Sequence, residues 1–200
     1  MNIVILSRGP ANYTTKRLKD VAKARGHEVR IVNYGKCYMT VERGNPVVYY
    51  KGEKLENIDA IIPRIAQSYT RYGSAVVRQF EMQGVYTTAS SIAIVRSRDK
   101  LRAYQLLAKA EVGVPKTVFA RDTADFDEVI EVAGGAPLII KVARGTHGNG
   151  VVLAETRKAA KAVMQAFFVE GVNFLVQEFV EESAGTDIRA VVVGGRVVAS

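Results

Sequence analysis

Two hundred residues, 48% of them hydrophobic, can bury one good core or two small ones, and the even spread of aromatic and β-branched residues excludes a disordered chain. A formal charge of +8 favours an acidic partner such as a nucleotide, phosphate, acidic peptide or RNA, and serves plain solubility equally well. The single cysteine, Cys37, rules out a disulfide within the chain, and no apolar run approaches the ~20 residues of a membrane helix.

The opening residues are wrong for a signal peptide, because Arg8 and Gly9 cut the apolar stretch short. A soluble cytoplasmic protein is therefore expected. Residues 2–7, NIVILS, have buried-strand character, and a helix follows over 13–25 with Leu18, Val21 and Ala22 on one face. Gly26 stops it before a second strand, HEVRIVNY. Strand, helix and strand in so short a span make a βαβ unit, which implies a parallel sheet. Residues 36–55 are irregular and β-leaning, broken by Gly44, Pro46 and Gly52. The next apolar strand is 58–65, with Pro63 at its exit, and a helix over 73–83 buries Ala75, Val76 and Phe80. VYTTAS returns to the sheet, 90–96 reads as a short helix, and the first domain is expected to close near Arg96.

The second half, 97–200, opens with a helix from Ser97, its expected N-cap, to Val112, with Gly113 as its stop and Pro115 beyond. KTVFA is a strand, and Thr123 is expected to cap a helix that runs through Ala133 to Gly134 and Gly135. Two strands, PLIIKVA and VVLAE, are joined by RGTHGNG (144–150). Thr156 opens a helix whose apolar face holds Ala160, Val163, Met164 and Phe167; NFLVQEFV is a strand and EESAGT a polar loop. DIRAVVV and RVVAS pair around Gly194 and Gly195, a natural two-residue turn. Ending on an apolar strand is unusual for a domain, so further chain is expected after Ser200.

Three glycines in seven residues, at 145, 148 and 150, need a reason, since each costs roughly 0.5–1 kcal/mol relative to alanine in ordered structure. Bare backbone N–H groups that close around phosphate oxygens are one reason; a flexible hairpin turn is another. A Walker loop and a Rossmann fingerprint both require a helix to follow, and Gly150 enters VVLAE instead. Lys141 lies in the apolar strand LIIKVA, where its ammonium must reach water or an anion, by snorkelling at an edge or by meeting a phosphate held by the loop. Lys100 faces the positive end of its helix dipole, which typically costs ~0.3–1 kcal/mol. A bound anion would remove that conflict, and solvated helix-end charges would tolerate it. NFLVQEFVEE can offer backbone groups to a purine edge and carboxylates to a ribose, or it is a surface strand with solvated acids.

The order of these pieces, RDK (98–100), LIIK (138–141), the glycine hairpin, VQEFV (176–180) and DIR (187–189), resembles the ATP-grasp superfamily. ILSRG, CYM, YKG-x-KL, IPRI, YG-x-A-x-x-RQFEM, SRDKLR, QLLA, VAGGAPL and VVLAETR resemble its RimK-type ligases over essentially the whole chain. The resemblance implies an α/β protein, a Rossmann-like pre-ATP-grasp domain over 1–96 followed by the first part of an ATP-grasp (α+β) domain over 97–200. It places Lys100 and Lys141 at the ATP phosphates, with Gly145, Gly148 and Gly150 in the loop that covers them. Glu178 and Val180 would meet adenine through their backbones with Phe179 beside the ring, and Asp187 would lie near the ribose. Arg189 would face the phosphates or the carboxylate substrate, as the candidate catalytic residue, and Arg64 would hold a substrate carboxylate.

The implied chemistry is the joining of L-glutamate to the C-terminal tail of the sixth small-subunit ribosomal protein. The terminal carboxylate becomes an acyl phosphate at the expense of ATP, the glutamate amine attacks it, and phosphate leaves. Magnesium, or manganese, would offset charge on the transferring group. The resemblance further implies a homo-oligomer at full length. Two departures stand out: Arg144 and His147 occupy the glycine loop where an acidic or neutral pair is expected, and the family's metal-binding Asp and Glu-x-Asn would fall beyond residue 200. Little ligase activity is therefore expected from these residues alone. The alternatives are a truncated nucleotide- or peptide-binding regulator and an ATP-grasp ligase for a small-molecule carboxylate.

Overall fold

The computed structural model describes residues 1–120, 125–143, 150–183 and 186–200. They divide into two units, Met1–Ala103 and Tyr104–Ser200.

In the first unit β1 (Asn2–Ser7), α1 (Tyr13–Ala24) and β2 (Glu28–Val32) form the expected βαβ start. The β-leaning stretch that follows is β3 (Cys37–Thr40), β4 (Val47–Tyr50) and β5 (Glu53–Lys54), a separate antiparallel sheet. Then come β6 (Ala60–Arg64), α2 (Thr70–Met82), β7 (Tyr86–Thr87) and α3 (Ser91–Arg98). The main sheet has the order β2-β1-β6-β7 and is parallel throughout. Pro63 falls inside β6, opposite Leu6, rather than at its exit. The pairing of β6 with β7 has ended by then, so the missing N–H breaks no bond on that side. Val4, Leu6, Ile61, Val76, Val77 and Phe80 are almost wholly buried together. The face of α2 is wider than expected: Ala75 is only half-buried, and Val77 takes the place beside Val76 and Phe80.

The helix expected from Ser97 begins later, at Lys100, and the short helix expected over 90–96 extends to Arg98. Ser97 lies in the last turn of α3, its hydroxyl donating to the Ile94 carbonyl at 3.0 Å, and the chain breaks at Asp99 in an extended conformation. Asp99 is the cap that Ser97 was expected to be: its carboxylate accepts from Arg102 N–H at 3.0 Å, at the start of α4 (Lys100–Lys109). The stop is also displaced. Glu111, with φ 58°, takes the left-handed position, and Val112 N–H and Glu111 N–H reach back to Leu107 and Ala108. Gly113 has no such role.

In the second unit β8 (Thr117–Ala120), α5 (Phe126–Ala133), β9 (Leu138–Val142), β10 (Val151–Ala154), α6 (Arg157–Val169) and β11 (Phe174–Glu178) follow. Asp125 caps α5 by accepting from Asp127 N–H and Glu128 N–H; Thr123, the expected cap, lies outside the described residues. The sheet order is β10-β9-β11-β8, every pair antiparallel. Alternation along the strands sends Leu138, Ile140, Phe174 and Val176 into a core with Ile130 of α5 and Met164 of α6. The opposite face carries Ile139, Lys141, Leu175 and Gln177. Last come β12 (Val191–Val193) and β13 (Arg196–Ala199), an antiparallel pair turned by Gly194 and Gly195, both at positive φ.

Candidate functional site

The first unit offers a place for a ligand by topology. From β1 the chain goes to β2 on one side and to β6 on the other, so the crevice beyond the carboxyl ends of β1 and β6 is the switch point of the sheet. Ser7 and Arg64 are register partners there. Ser7 is buried, sharing a hydrogen bond with Thr15 at 3.1 Å and accepting from Gly9 N–H at 3.2 Å. Arg64 is exposed at the strand end. Arg8, on the neighbouring strand end, is also exposed, with its guanidinium 3.9 Å from the Tyr69 ring centre. Two arginines at a switch point suit a carboxylate. The place of Arg8 is not legible in the sequence, since only strand order shows that its strand end adjoins that of Arg64.

Lys100 is the first residue of α4, next to its cap Asp99, so a carboxylate shares the helix start with the ammonium. Arg98, two residues before it, donates to the Ile65 carbonyl at 2.8 Å.

In the second unit Lys141 stands on the sheet face opposite the core formed with α5 and α6. Its ammonium donates to Gln177 Oε1 at 2.5 Å, Gln177 Nε2 donates to the Thr117 hydroxyl at 2.8 Å, and that hydroxyl donates to the Pro115 carbonyl at 2.7 Å. The direction of each bond is set by the next, so the lysine at one end requires the amide of Gln177 to point its oxygen one way. Gln177 is buried, which removes water as a competing partner. Lys141 is thus neither a snorkelling edge residue nor dependent on an anion for its only contact. Around it Phe119, Val151 and Leu153 remain 39%, 42% and 45% exposed. They make an apolar shelf with an ammonium set in it, the lining expected of a small-molecule site.

Gly150 has a structural reason of its own. Its φ is 74°, its carbonyl accepts from Val142 N–H at 2.8 Å, and an added Cβ would lie 2.6 Å from Val142 Cγ2. Gly145 and Gly148 lie outside the described residues, as do Arg144 and His147.

Glu178 ends β11, three residues beyond Leu175, the register partner of Lys141, and Phe179 and Val180 follow it. Glu178 N–H donates to the Lys116 carbonyl at 3.0 Å, and its Oε1 accepts from Lys116 N–H at 2.8 Å. The Val180 carbonyl accepts from Ser183 N–H at 3.3 Å and from the Ser183 hydroxyl at 2.9 Å. Asp187 and Arg189 are exposed and precede β12. Of the sequence-derived site residues, Lys141, Gly150 and Glu178–Val180 lie in or next to the strands of one sheet and Arg64 at the switch point of the other, while Lys100 opens α4 and Asp187 and Arg189 precede β12.

Comparison with known proteins gives the arrangement its relatives. A family model described as the RimK PreATP-grasp domain matches residues 1–94, and one described as the RimK-like ATP-grasp domain matches 97–200. The chain is 56% identical to a Maridesulfovibrio salexigens protein named "Probable alpha-L-glutamate ligase" and 53% identical to one of the same name from Cellvibrio japonicus. Both alignments cover 100% of this chain and 66% of the relative, so the chain spans about two-thirds of the length of these curated relatives. Among solved structures, the RimK domain protein ATP-grasp from Sphaerobacter thermophilus superposes with a TM-score of 0.65 at 20% identity, covering 90% of this chain and 64% of that one. D-alanyl-alanine synthetase A from Vibrio cholerae does so with a TM-score of 0.64 at 14% identity, covering 98% and 63%. These likenesses show the fold, and it is the fold class expected from the sequence.

Proposed function

Because the chain belongs to the RimK-like ATP-grasp family, we propose that it serves an ATP-dependent carboxylate–amine ligation with L-glutamate as the amine. The acceptor in this reading is the C-terminal carboxylate of the sixth small-subunit ribosomal protein. The observation that carries the nucleotide part is the tethered ammonium of Lys141 on an apolar shelf, with Glu178 at the end of the adjoining strand β11 and Phe179 and Val180 after it.

The reaction runs in two transfers. An acceptor carboxylate oxygen takes the terminal phosphoryl group of ATP, and ADP departs. The glutamate nitrogen then attacks the acyl carbon, the acyl–oxygen bond to phosphate breaks, and the nitrogen loses a proton to leave an amide. Lys141 supplies positive charge against the phosphates, and Gln177 and Thr117 hold it in one position so that none of that attraction is lost to side-chain freedom. Lys100 and Arg189 are proposed to add charge on the phosphates and the acceptor carboxylate, and Asp187 to hold the ribose. Arg64, with Arg8 beside its strand, is proposed to hold a substrate carboxylate.

The family chemistry also implies magnesium or manganese. The described residues do not fit it: among them no group of three or more His, Cys, Asp or Glu side chains could hold a metal ion. Among the described residues no helix is long and apolar enough to cross a membrane; we assign the reaction to the cytoplasm and to a homo-oligomer of the whole protein.

Calorimetric titration of ATP into the chain and into Lys141→Ala tests the nucleotide site. The parent is expected to bind, and the variant to lose about 10- to 100-fold in affinity, the range for one charged hydrogen bond. A parent that binds no ATP would overturn the reading. Mass spectrometry of candidate acceptors incubated with ATP and glutamate tests the substrate: glutamate on the ribosomal tail supports it, and glutamate only on small carboxylates would overturn that assignment.

A further inference from the structure

The antiparallel ladder between β11 and β8 ends with one acceptor exchanged for another. Glu178 N–H donates to the Lys116 carbonyl at 3.0 Å, which makes the two residues a hydrogen-bonded pair. In a continuing ladder the Lys116 N–H would return the bond to the carbonyl of Glu178. It donates instead to the side-chain Oε1 of Glu178, at 2.8 Å. Lys116 has one backbone proton, so the Glu178 carbonyl loses its ladder partner to its own carboxylate.

We propose that the Glu178 carboxylate is a positioning group that sets base specificity: by occupying Lys116 N–H it keeps the Glu178 carbonyl open to accept from a 6-aminopurine. The inference rests on the reading that the Glu178–Val180 edge receives the base. A carbonyl at 178 and an N–H at 180 present acceptor and donor two residues apart, and Val180 lies past the end of the ladder, where pairing with β8 and β9 has stopped. Adenine offers the complement, an amino donor at position 6 and an acceptor at position 1. A 6-oxopurine offers the reverse, an acceptor at 6 and a donor at 1, and meets like groups at both places. Without the carboxylate, Lys116 N–H is free to close on the Glu178 carbonyl, and the preference for the amino group goes with it.

A carboxylate that only fastened β8 to β11 would affect stability and all nucleotides alike, so the test compares ATP with ITP. Both are titrated calorimetrically into the parent, Glu178→Ala and Glu178→Gln, with thermal melting to confirm that each variant is folded. Glu178→Gln, whose amide oxygen can accept from the same N–H, is expected to keep ATP affinity within about twofold. Glu178→Ala is expected to weaken ATP by roughly two- to tenfold, one neutral hydrogen bond, and to leave ITP unchanged. Equal weakening of ATP and ITP, or no weakening of ATP, would overturn the inference while ATP binding by the parent stands. A parent that binds neither nucleotide overturns the inference together with the reading beneath it. Should Glu178→Ala fail to fold, Glu178→Leu keeps most of the volume without the acceptor and carries the same expectation.

Discussion

Gln177 holds both ends of its amide in use while 3% of its surface is exposed, between the Lys141 ammonium and the Thr117 hydroxyl. Gln177→Leu would leave both partners to find water at a buried site. It is expected to lower unfolding stability by about 1–3 kcal/mol, read from urea denaturation; a loss below half a unit on that scale would mean that neither partner depends on it. Cys37 is the opposite kind of buried residue. Its thiol is pushed up to about 11 by burial, and its hydrogen points at the Asn33 carbonyl. The native thiol should therefore resist iodoacetamide at mildly alkaline pH and react once denaturant is added; rapid native labelling would contradict this. At this scale the sequence shows Lys141 as a charge in the wrong company. It does not show what relieves that charge. Gln177 lies thirty-six positions away, and only the β9–β11 register brings the two together on one face.

α5 and α6 are joined across their exposed sides by ion pairs. Asp127 meets Arg157 at 2.9 Å and also Lys161, and Arg157 also meets Glu131. The hydrogen bond from Lys161, helped by the charges of Lys161 and Arg157, holds the Asp127 carboxyl below the usual carboxylate range. Its contribution to stability is complete above the unfolded carboxylate's range and disappears as pH falls through the lowered folded value. The group is at the surface, so the effect is small and screened by salt. Asp127→Asn should flatten the acid side of the stability curve and leave its shape at neutral pH unchanged; parallel curves for parent and variant would contradict it. Most elements were legible from apolar period and glycine placement, and their ends were not. Ser97 and Thr123 looked like caps because of residue type, yet Asp99 and Asp125 do that work two residues on. The helix stop expected at Gly113 falls on Glu111, which occupies a left-handed conformation that costs ~1–2 kcal/mol for an L-residue. Side-chain chemistry nominates several residues near an end, and only the packing of the helix selects among them.

The described residues form two cores, one in each unit, and the second unit also carries a hairpin whose valines join neither core. β12 and β13 leave Val191, Val192, Val193, Val197 and Val198 between 48% and 63% exposed. Such a patch on a thin two-stranded ribbon favours association. The isolated chain is expected to scatter light as oligomers, and replacing the register partners Val192 and Val197 by lysine to shift it toward monomer; a monomeric parent would contradict this. The sheet of the first unit has its own consequence at synthesis. β1 is its most apolar strand and is made first, but one neighbour begins at Glu28 and the other at Ala60, and the core it enters draws on Phe80 and Ile94 as well. A growing chain must carry NIVILS with one edge open until β6 has left the ribosome. That makes this segment the one a chaperone would shelter, and the one whose delay sets the pace at which the unit can fold.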